Sequence, residues 1–463
     1  MKFFKRMKER LKNKMTDEID HKPWLYLPIE TKVRELDAKL LLAYYAVHHN
    51  YRVVLGLSGM MEEALECLPP GIFLDKGYIE NDKLRRFQQA KKYGHKLLNL
   101  HEEGFPLTEK EIYIQKSLDQ KSFNLLDYEC CWGEVQKNII ISQYPGEAHK
   151  CVITGNPRFD LLQTKYRSLF NIGAEAIKER YGDFVLINTR FPAYTKTVNE
   201  KGKVNVKILS QLERHLGKYG PREILQLYKQ FIVMIKACSQ RYPHLHFVIR
   251  PHPSEVFSVY EQDLKECNNV SVVHEGNVIN WILASKLVIH NGCTTGAEAF
   301  LLEKPVISYV PLKERKYDLP NELSIKVAKV KDIFQFIDHD LNQYDFNSNK
   351  FNEQRKLQLL KGYNAGVQDR FAHENILHLL NKIPAPKASP DHIEMNAQLL
   401  SKLKRENNKR IYKTNPIVMQ KFPSLTVKEI NSFLTRINRI ERKGKRILVR
   451  QLYDKFFEIT LEG

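Results

Sequence analysis

The sequence predicts an α/β protein of two Rossmann-like domains with parallel sheets, followed by a basic, helical C-terminal extension. Three observations carry this. Short apolar strands alternate with amphipathic helices from residue 24 to about 160, and a second such series starts at residue 184. A Pro-rich break at 382–390 then sets off a basic tail. Strands separated by helices pair in parallel, with the helices as crossovers.

In order, WLYLPI (24–29) reads as a strand and VRELDAKLLLAYYAVHH (33–49) as a helix. Leu36, Leu40, Ala43 and Val47 recur on one face of that helix. RVVLGL (52–57), GIFLD (71–75), HKLLNL (95–100), NLLDYEC (124–130) and KCVIT (150–154) supply the other strands of the first sheet. Gly155-Asn156-Pro157 breaks the pattern, and a polar helix over 172–181 leads to the second series. That series comprises FVLINT (184–189), a long helix (222–241), HLHFVIR (244–250), VSVV (270–273), KLVIH (286–290), KPVISYV (304–310) and SIKVAK (324–329). Residues 351–382 read as helical and pack back across both domains. KIPAPKASP (382–390) is a linker. The expected organisation is a basic tail (1–20), an N-terminal domain (21–170), a C-terminal domain (171–345), a returning helix (346–385) and a mostly helical extension (386–463).

At 463 residues and 43% hydrophobic content the chain can bury two or three cores. No apolar run approaches the roughly 18 residues of a membrane span. The seven cysteines form no CxxC pair and no zinc-spaced Cys/His group. Their odd number argues against a full disulfide framework and for a reducing cytoplasm. MKFFKRMKERLKNKM (1–15) is basic but lacks the apolar stretch of a secretion signal. The net charge of +19 gathers at residues 1–15 and again from Lys402 to Arg450. Such ends suit anionic partners, whether membrane surface, glycan or nucleic acid, or are simply solvated.

Several segments carry candidate chemistry. HNGCTTGAEAFLLEKPVISY (290–309) breaks an apolar strand into small and polar residues and restarts at once as a helix. Asn291, Thr294, Thr295 and Gly296 would put free N–H groups and the positive dipole end against a phosphate, with Glu298 near ribose hydroxyls. The competing reading is a Thr295-x-x-Glu298 capping box that only starts a helix. In FVIRPHPSE (247–255), Pro251 and Pro253 stiffen the backbone around Arg250 and His252. The guanidinium fork suits phosphate; the alternative is a rigid surface turn. Asn188-Thr189-Arg190 ends a strand toward the same cleft. The lysine-rich stretch 191–220 after it is a lid or acceptor contact, or padding.

In the first domain, GNPRFD (155–160) offers Arg158 and Asp160, either to the cleft or to a local ion pair. NLHEEGFP (99–106) places Glu102 and Glu103 just after a strand, as a base or nucleophile or as a helix cap. PIETKVRELDAK (28–39) crowds Glu30, Lys32, Arg34, Glu35 and Asp37 at the first strand–helix junction. They are cleft residues or an exposed face of i,i+3 and i,i+4 ion pairs. No cluster calls for a metal, and no cofactor is expected beyond a donor substrate.

In this order, IETKVRELDAKLLLAYYAV, LPPGIFLDKG, HEEGF, TGNPRFDLL, IRPHPSE and NGCTTGAEAFLLEKPVISY resemble the bacterial surface carbohydrate biosynthesis proteins. That family looks like GT-B glycosyltransferases, with two domains facing across a cleft. The RPHP and strand-loop-helix segments are also similar to those of capsule and O-antigen Kdo transferases and of teichoic polyol-phosphate transferases. The match spans roughly residues 24–315. It implies a nucleotide in the second domain, held by Arg250, His252, Thr294, Thr295 and the Gly296 backbone, with Glu298 near the ribose. It also implies a CMP-activated donor such as CMP-Kdo, and a catalytic carboxylate at Glu102 or Glu103. This chain has Glu-Glu where the capsule enzymes usually have Glu-Asp.

The expected function is therefore metal-independent transfer of a sugar from a nucleotide donor to a surface glycan precursor, free or lipid-linked. Cations would stabilise the departing phosphate. The two basic clusters would hold the protein to the inner face of the cytoplasmic membrane. The rivals are a CDP-glycerol-type polyol-phosphate transferase, a basic nucleic-acid-binding protein and an inactive membrane-associated subunit. Net charge alone supports the nucleic-acid reading, so no nucleic-acid partner is expected.

Overall fold

Six parallel strands build most of the first sheet in a computed structural model of the chain. They are β1 (Trp24–Ile29), β2 (Arg52–Leu57), β3 (Ile72–Asp75), β4 (Lys96–Asn99), β5 (Tyr128–Cys131) and β6 (Cys151–Ile153), in the order β2-β1-β3-β4-β5-β6. The second sheet is wholly parallel, in the order β12-β11-β10-β7-β8-β9. Its strands are β7 (Phe184–Asn188), β8 (His246–Arg250), β9 (Val270–Val272), β10 (Leu287–His290), β11 (Val306–Tyr309) and β12 (Ile325–Val327). The structure describes residues 22–462 except 78–82, 103–109, 199–202, 206, 209–220, 314–317, 344–349, 368–369, 385, 387–391, 408 and 410–414.

Both sheets are doubly wound. Strand order reverses between β1 and β3 in the first and between β7 and β10 in the second. At such a switch point the crossovers leave toward opposite faces and open a crevice beyond the carboxyl ends of the strands. The strands flanking the second switch, FVLIN and LVIH, are buried at every position, as a sheet covered on both faces requires.

The helices needed below are α1 (Lys32–His48), α2 (Pro157–Asp160), α3 (Asn171–Tyr181), α4 (Pro221–Arg241), α5 (Val278–Ala284), α6 (Thr295–Leu301), α7 (Lys350–Tyr363), α8 (Ala372–Leu380), α9 (His392–Asn407), α10 (Pro416–Lys421) and α11 (Val427–Glu441). The chain crosses between the sheets over 154–183, and α3 packs on α5 of the second domain. The segment expected as one returning helix is two, α7 and α8. Asn364 breaks it, because its buried side chain accepts from the Asn156 amide (3.2 Å) while Ala365 N donates to the Trp132 carbonyl (2.8 Å). The strand expected over 124–130 starts only at Tyr128, since Asp119 caps a short helix through Ser122 N (2.8 Å).

The C-terminal extension departs most from expectation. It is mostly helical as far as Glu441, and then forms a hairpin, β13 (Ile447–Tyr453) and β14 (Phe456–Leu461), turned through a left-handed Lys455. β14 lies antiparallel on β2, so the end of the chain extends the first sheet. Phe456, Phe457 and Ile459 are fully buried there. Each such side chain contributes about 1.5–3 kcal/mol relative to exposure. Gly56 on β2 leaves room for it, since a Cβ there would lie 2.6 Å from Phe456 Cδ2. The same extension explains α1, which is buried nearly all round rather than on one face. α11 covers its outer side, and Tyr44 donates to Asn438 Oδ1 at 2.8 Å. Among the described residues no helix is long and apolar enough to cross a membrane.

Candidate functional site

On the second domain the site begins with three aligned strand ends. Asn188 of β7 stands in register between Arg250 of β8 and His290 of β10. His290 is wholly buried and organises the loop after it. Its Nδ1 accepts from Gly292 N (3.0 Å) and Cys293 N (3.3 Å), and its Nε2 donates to Ser324 Oγ (2.8 Å). Burial pushes its pKa down to about 3, so the ring is neutral at physiological pH.

This arrangement gives both glycines of the motif a packing reason. Gly292 has a φ of 75°, and a Cβ on Gly296 would meet His290 Nε2 at 2.3 Å. It also corrects the bare-amide cradle expected from the sequence. The amides of Gly292 and Cys293 are taken by the His290 ring, and Gly296 N donates to the Cys293 carbonyl (2.9 Å). The capping box is absent as well. Thr294 occupies the cap position without a side-chain hydrogen bond, and Glu298 turns away to Arg158. The Thr295 hydroxyl sits beside the Cys293 thiol. Side-chain atoms also stand ready for a ligand. Asn188 Nδ2, Asn291 Oδ1 and Glu298 Oε2 are buried with no hydrogen-bond partner among the described residues. Arg250 Nε and Thr295 Oγ1 of the same site are likewise unpartnered among the described residues, so polar groups free to meet a ligand gather here.

Arg250 lies next to them. Its Nη2 donates to the Gly276 carbonyl (2.6 Å), and burial lowers its pKa to about 10, which keeps it cationic at neutral pH. The Arg-Pro-His-Pro loop is braced from behind by buried Glu255, which accepts from His252 N (2.9 Å), Thr189 Oγ1 (3.2 Å) and the Tyr260 hydroxyl. Ser254 pairs with His252 Nδ1 (2.7 Å) and orients the ring. Arg190 reaches across to the Gly292 carbonyl (3.0 Å).

The first domain brings charge to the same place. Arg158, at the start of α2, donates through Nη1 to the Glu102 carbonyl (3.2 Å) and through Nη2 to Glu298 Oε1 (3.1 Å). It therefore ties the end of β4 to the start of α6 across the domain boundary. The Glu102 carboxylate pairs with Lys39 at 3.3 Å, both side chains being nearly inaccessible. Burial disfavours the charge on Glu102, but Lys39, and after it Arg158, Arg34 and Lys76, outweigh burial and hold the carboxyl below the usual range. Glu298 goes the other way: burial raises its pKa, and Arg158 and Arg250 only partly offset it. Two carboxyl groups linked through Arg158 and driven apart in this way are suited to different roles.

Around the first switch point, Glu35 accepts from the amides of Glu30 (2.9 Å) and Thr31 (3.1 Å), with Arg34 at 3.2 Å. Glu35 is thus a buried clasp on the β1–α1 turn, not part of an exposed ion-pair face. Lys76 and Lys421 each hold one oxygen of Glu30. Asp37 accepts from Asn277 Nδ2 (2.8 Å) of the second domain. Lys32 is taken up by the C-terminal segment, which it anchors at the Ser424 carbonyl (2.5 Å) and Glu429 (2.6 Å). Asp160 also belongs elsewhere. Fully buried, it accepts from the amides of Ala372 (2.8 Å) and His373 (2.9 Å) and from His373 Nδ1 (2.8 Å), clamping α8. Glu103 and most of the lysine-rich stretch 191–220 lie outside the described residues.

Sequence reasoning missed Lys39, Lys76 and Lys421. Only Lys39 carried a signal, as a charge inside the apolar run of α1. Glu30 yields a pH test. Burial opposes its charge, but Lys76 and Lys421 prevail and hold its pKa at about 2, against an ordinary 4.5. A depressed carboxyl stabilises fully above its unfolded value, and that contribution is lost as pH falls through the folded one. Melting temperature followed from pH 6 toward pH 3 is expected to fall more steeply for wild type than for Glu30→Gln. Parallel curves would show that the pair of lysines does not hold this charge.

No protein-family model and no curated protein matches the chain. Among solved structures it is similar to the UDP-GlcNAc 2-epimerase of Methanocaldococcus jannaschii, at 13% identity and a TM-score of 0.46 over 73% of this chain and 99% of that one. It is similar also to the Neisseria meningitidis UDP-GlcNAc 2-epimerase, at 14% identity and a TM-score of 0.47 over 78% and 100%. The wall teichoic acid polymerase TagF shows 12% identity and a TM-score of 0.47 over 86% and 98%. These are likenesses in the course of the backbone. The site is placed by the two switch points of this chain and the charges between them, and the fold is the two-domain parallel α/β arrangement expected from the sequence.

Proposed function

We propose that the chain transfers a sugar from a nucleotide-activated donor to an acceptor of a bacterial surface glycan. One observation carries the reading: Arg158 joins the Glu102 turn to Glu298 between the carboxyl ends of two doubly wound sheets, beside half-buried Arg250. Cations fixed in a buried crevice stabilise the charge that builds on a departing phosphate. Arg250, with His252 presented by its braced loop, takes the donor phosphate. Asn188, Asn291 and Glu298 hydrogen-bond the rest of the nucleotide. Glu102, kept ionised by Lys39, faces them as base toward the acceptor or as nucleophile toward the sugar carbon.

The motif resemblance favours a cytidine-linked donor, CMP-Kdo among them. Binding at the inner membrane face follows from the basic ends. The test is thermal unfolding with CMP, CDP, UDP and GDP, on wild type, Arg250→Ala and His252→Ala. One nucleotide is expected to raise the melting temperature. Roughly 2.7 kcal/mol of stabilisation corresponds to ligand at a hundred times its Kd. Arg250→Ala is expected to remove most of that shift, and His252→Ala part of it. Indifference of wild type to all four nucleotides would overturn the reading. Recovery of a free nucleotide together with transferred glycerol phosphate, rather than sugar, would move it to the polyol-phosphate class.

A further inference from the structure

The C-terminal segment, far from the cleft in sequence, delivers a lysine to the mouth of the cleft. It is anchored on the first domain by buried Phe422 and Leu425, by Lys32 on the Ser424 carbonyl (2.5 Å) and by the β14–β2 pairing. From there Lys421 reaches Glu30, the residue that follows β1 at the switch point, while Lys76, just after β3, grips the other Glu30 oxygen. The neighbouring Gln420 crosses to the second domain, where it meets His274 Nε2 (3.1 Å) and the Pro253 carbonyl (3.5 Å) of the Arg-Pro-His-Pro loop. Two ammonium groups from distant parts of the chain thus converge on one carboxylate that is 34% exposed.

Glu35 and Glu102 also lie near Lys76 and, with Glu30, keep it protonated, but their closest contacts go elsewhere. Glu35 is committed to two backbone amides, and Glu102 to Lys39. We propose that Lys76 and Lys421 form an anion subsite in which Glu30 is the resident anion, displaced when a phosphate group of the acceptor arrives. The carboxylate is exposed enough to swing toward water, and the two lysines then contact phosphate oxygens instead. The proposal deepens the transfer reading, because it assigns the acceptor a phosphate and seats it across the cleft from the donor phosphate at Arg250.

The roles of Glu30 and Lys421 make opposite predictions. Inorganic pyrophosphate is titrated calorimetrically into the full chain as wild type, Lys421→Met, Glu30→Gln and Arg250→Ala. Lys421→Met is expected to weaken binding about tenfold, as one charge-assisted contact is lost. Glu30→Gln is expected to tighten it by about the same factor, because the internal competitor is gone. Arg250→Ala is expected to leave this event in place, separating it from pyrophosphate held at the donor site. Effects of Lys421→Met and Glu30→Gln without any nucleotide-induced thermal shift would sustain the subsite and sink the donor reading. Binding that responds only to Arg250→Ala, binding weakened by Glu30→Gln, or no binding at all would overturn the subsite.

Discussion

Glu102→Gln is expected to lower sugar transfer about 1000-fold, within the 10²–10⁴ range typical when a positioned acid, base or nucleophile is lost. The substitution is nearly isosteric, so the effect would come from charge. It has a structural side too, because Lys39 would be left buried beside a neutral amide. Breaking a buried pair by removing one partner costs roughly 3–5 kcal/mol, whereas replacing both partners by uncharged groups is often close to neutral. The double variant Lys39→Met/Glu102→Gln is therefore expected to regain most of the lost stability in urea unfolding while transfer stays absent. Restored transfer in the double variant would mean that Glu102 only props up the fold. Transfer within tenfold of wild type in Glu102→Gln would remove it from the chemistry.

Asp160→Ala is expected to cost roughly 3–5 kcal/mol of stability, because it strands buried donors on α8 without an acceptor. Asp160 and His373 are both wholly buried, and the ring of His373 stacks on Tyr45 of α1 with centroids 4.0 Å apart. Loss of the carboxylate therefore loosens α8 and α1 together. The nucleotide-induced thermal shift is expected to survive, since Asp160 takes no part in the cleft. A change below about 1 kcal/mol would show that the clamp is dispensable. A lost nucleotide shift in a folded variant would return Asp160 to the site.

Within the candidate site, legibility followed the range of the interactions. Arg250 and Asn188 could be read because each ends a strand, and His252 because it follows one within the same loop; the end of a strand in a parallel sheet is a place defined by its own neighbours in sequence. Glu298 was legible as a polar group at a helix start, but its partner was not. The local capping partner, Thr295, lost to Arg158, which lies 140 residues away. The glycines of the same loop were read as making room for an anion. In the folded chain Gly296 makes room for His290, whose burial no local pattern announces, and Gly292 turns left-handed against Asp318. The lysines on Glu30 were illegible for the same reason: Lys421 is separated from it by 391 residues.

The sequence by itself determined the two strand–helix series, the parallel pairing and the strand ends that line the candidate site. Those follow from side-chain periodicity and crossover length, which are local properties of the chain. Only the tertiary structure decided that the last strands pair with β2, that α1 is enclosed on all sides, and which cation meets which carboxylate. Charge pairing is set by the packing of elements remote in sequence. A lysine reads the same whether it ends in water or against a buried glutamate.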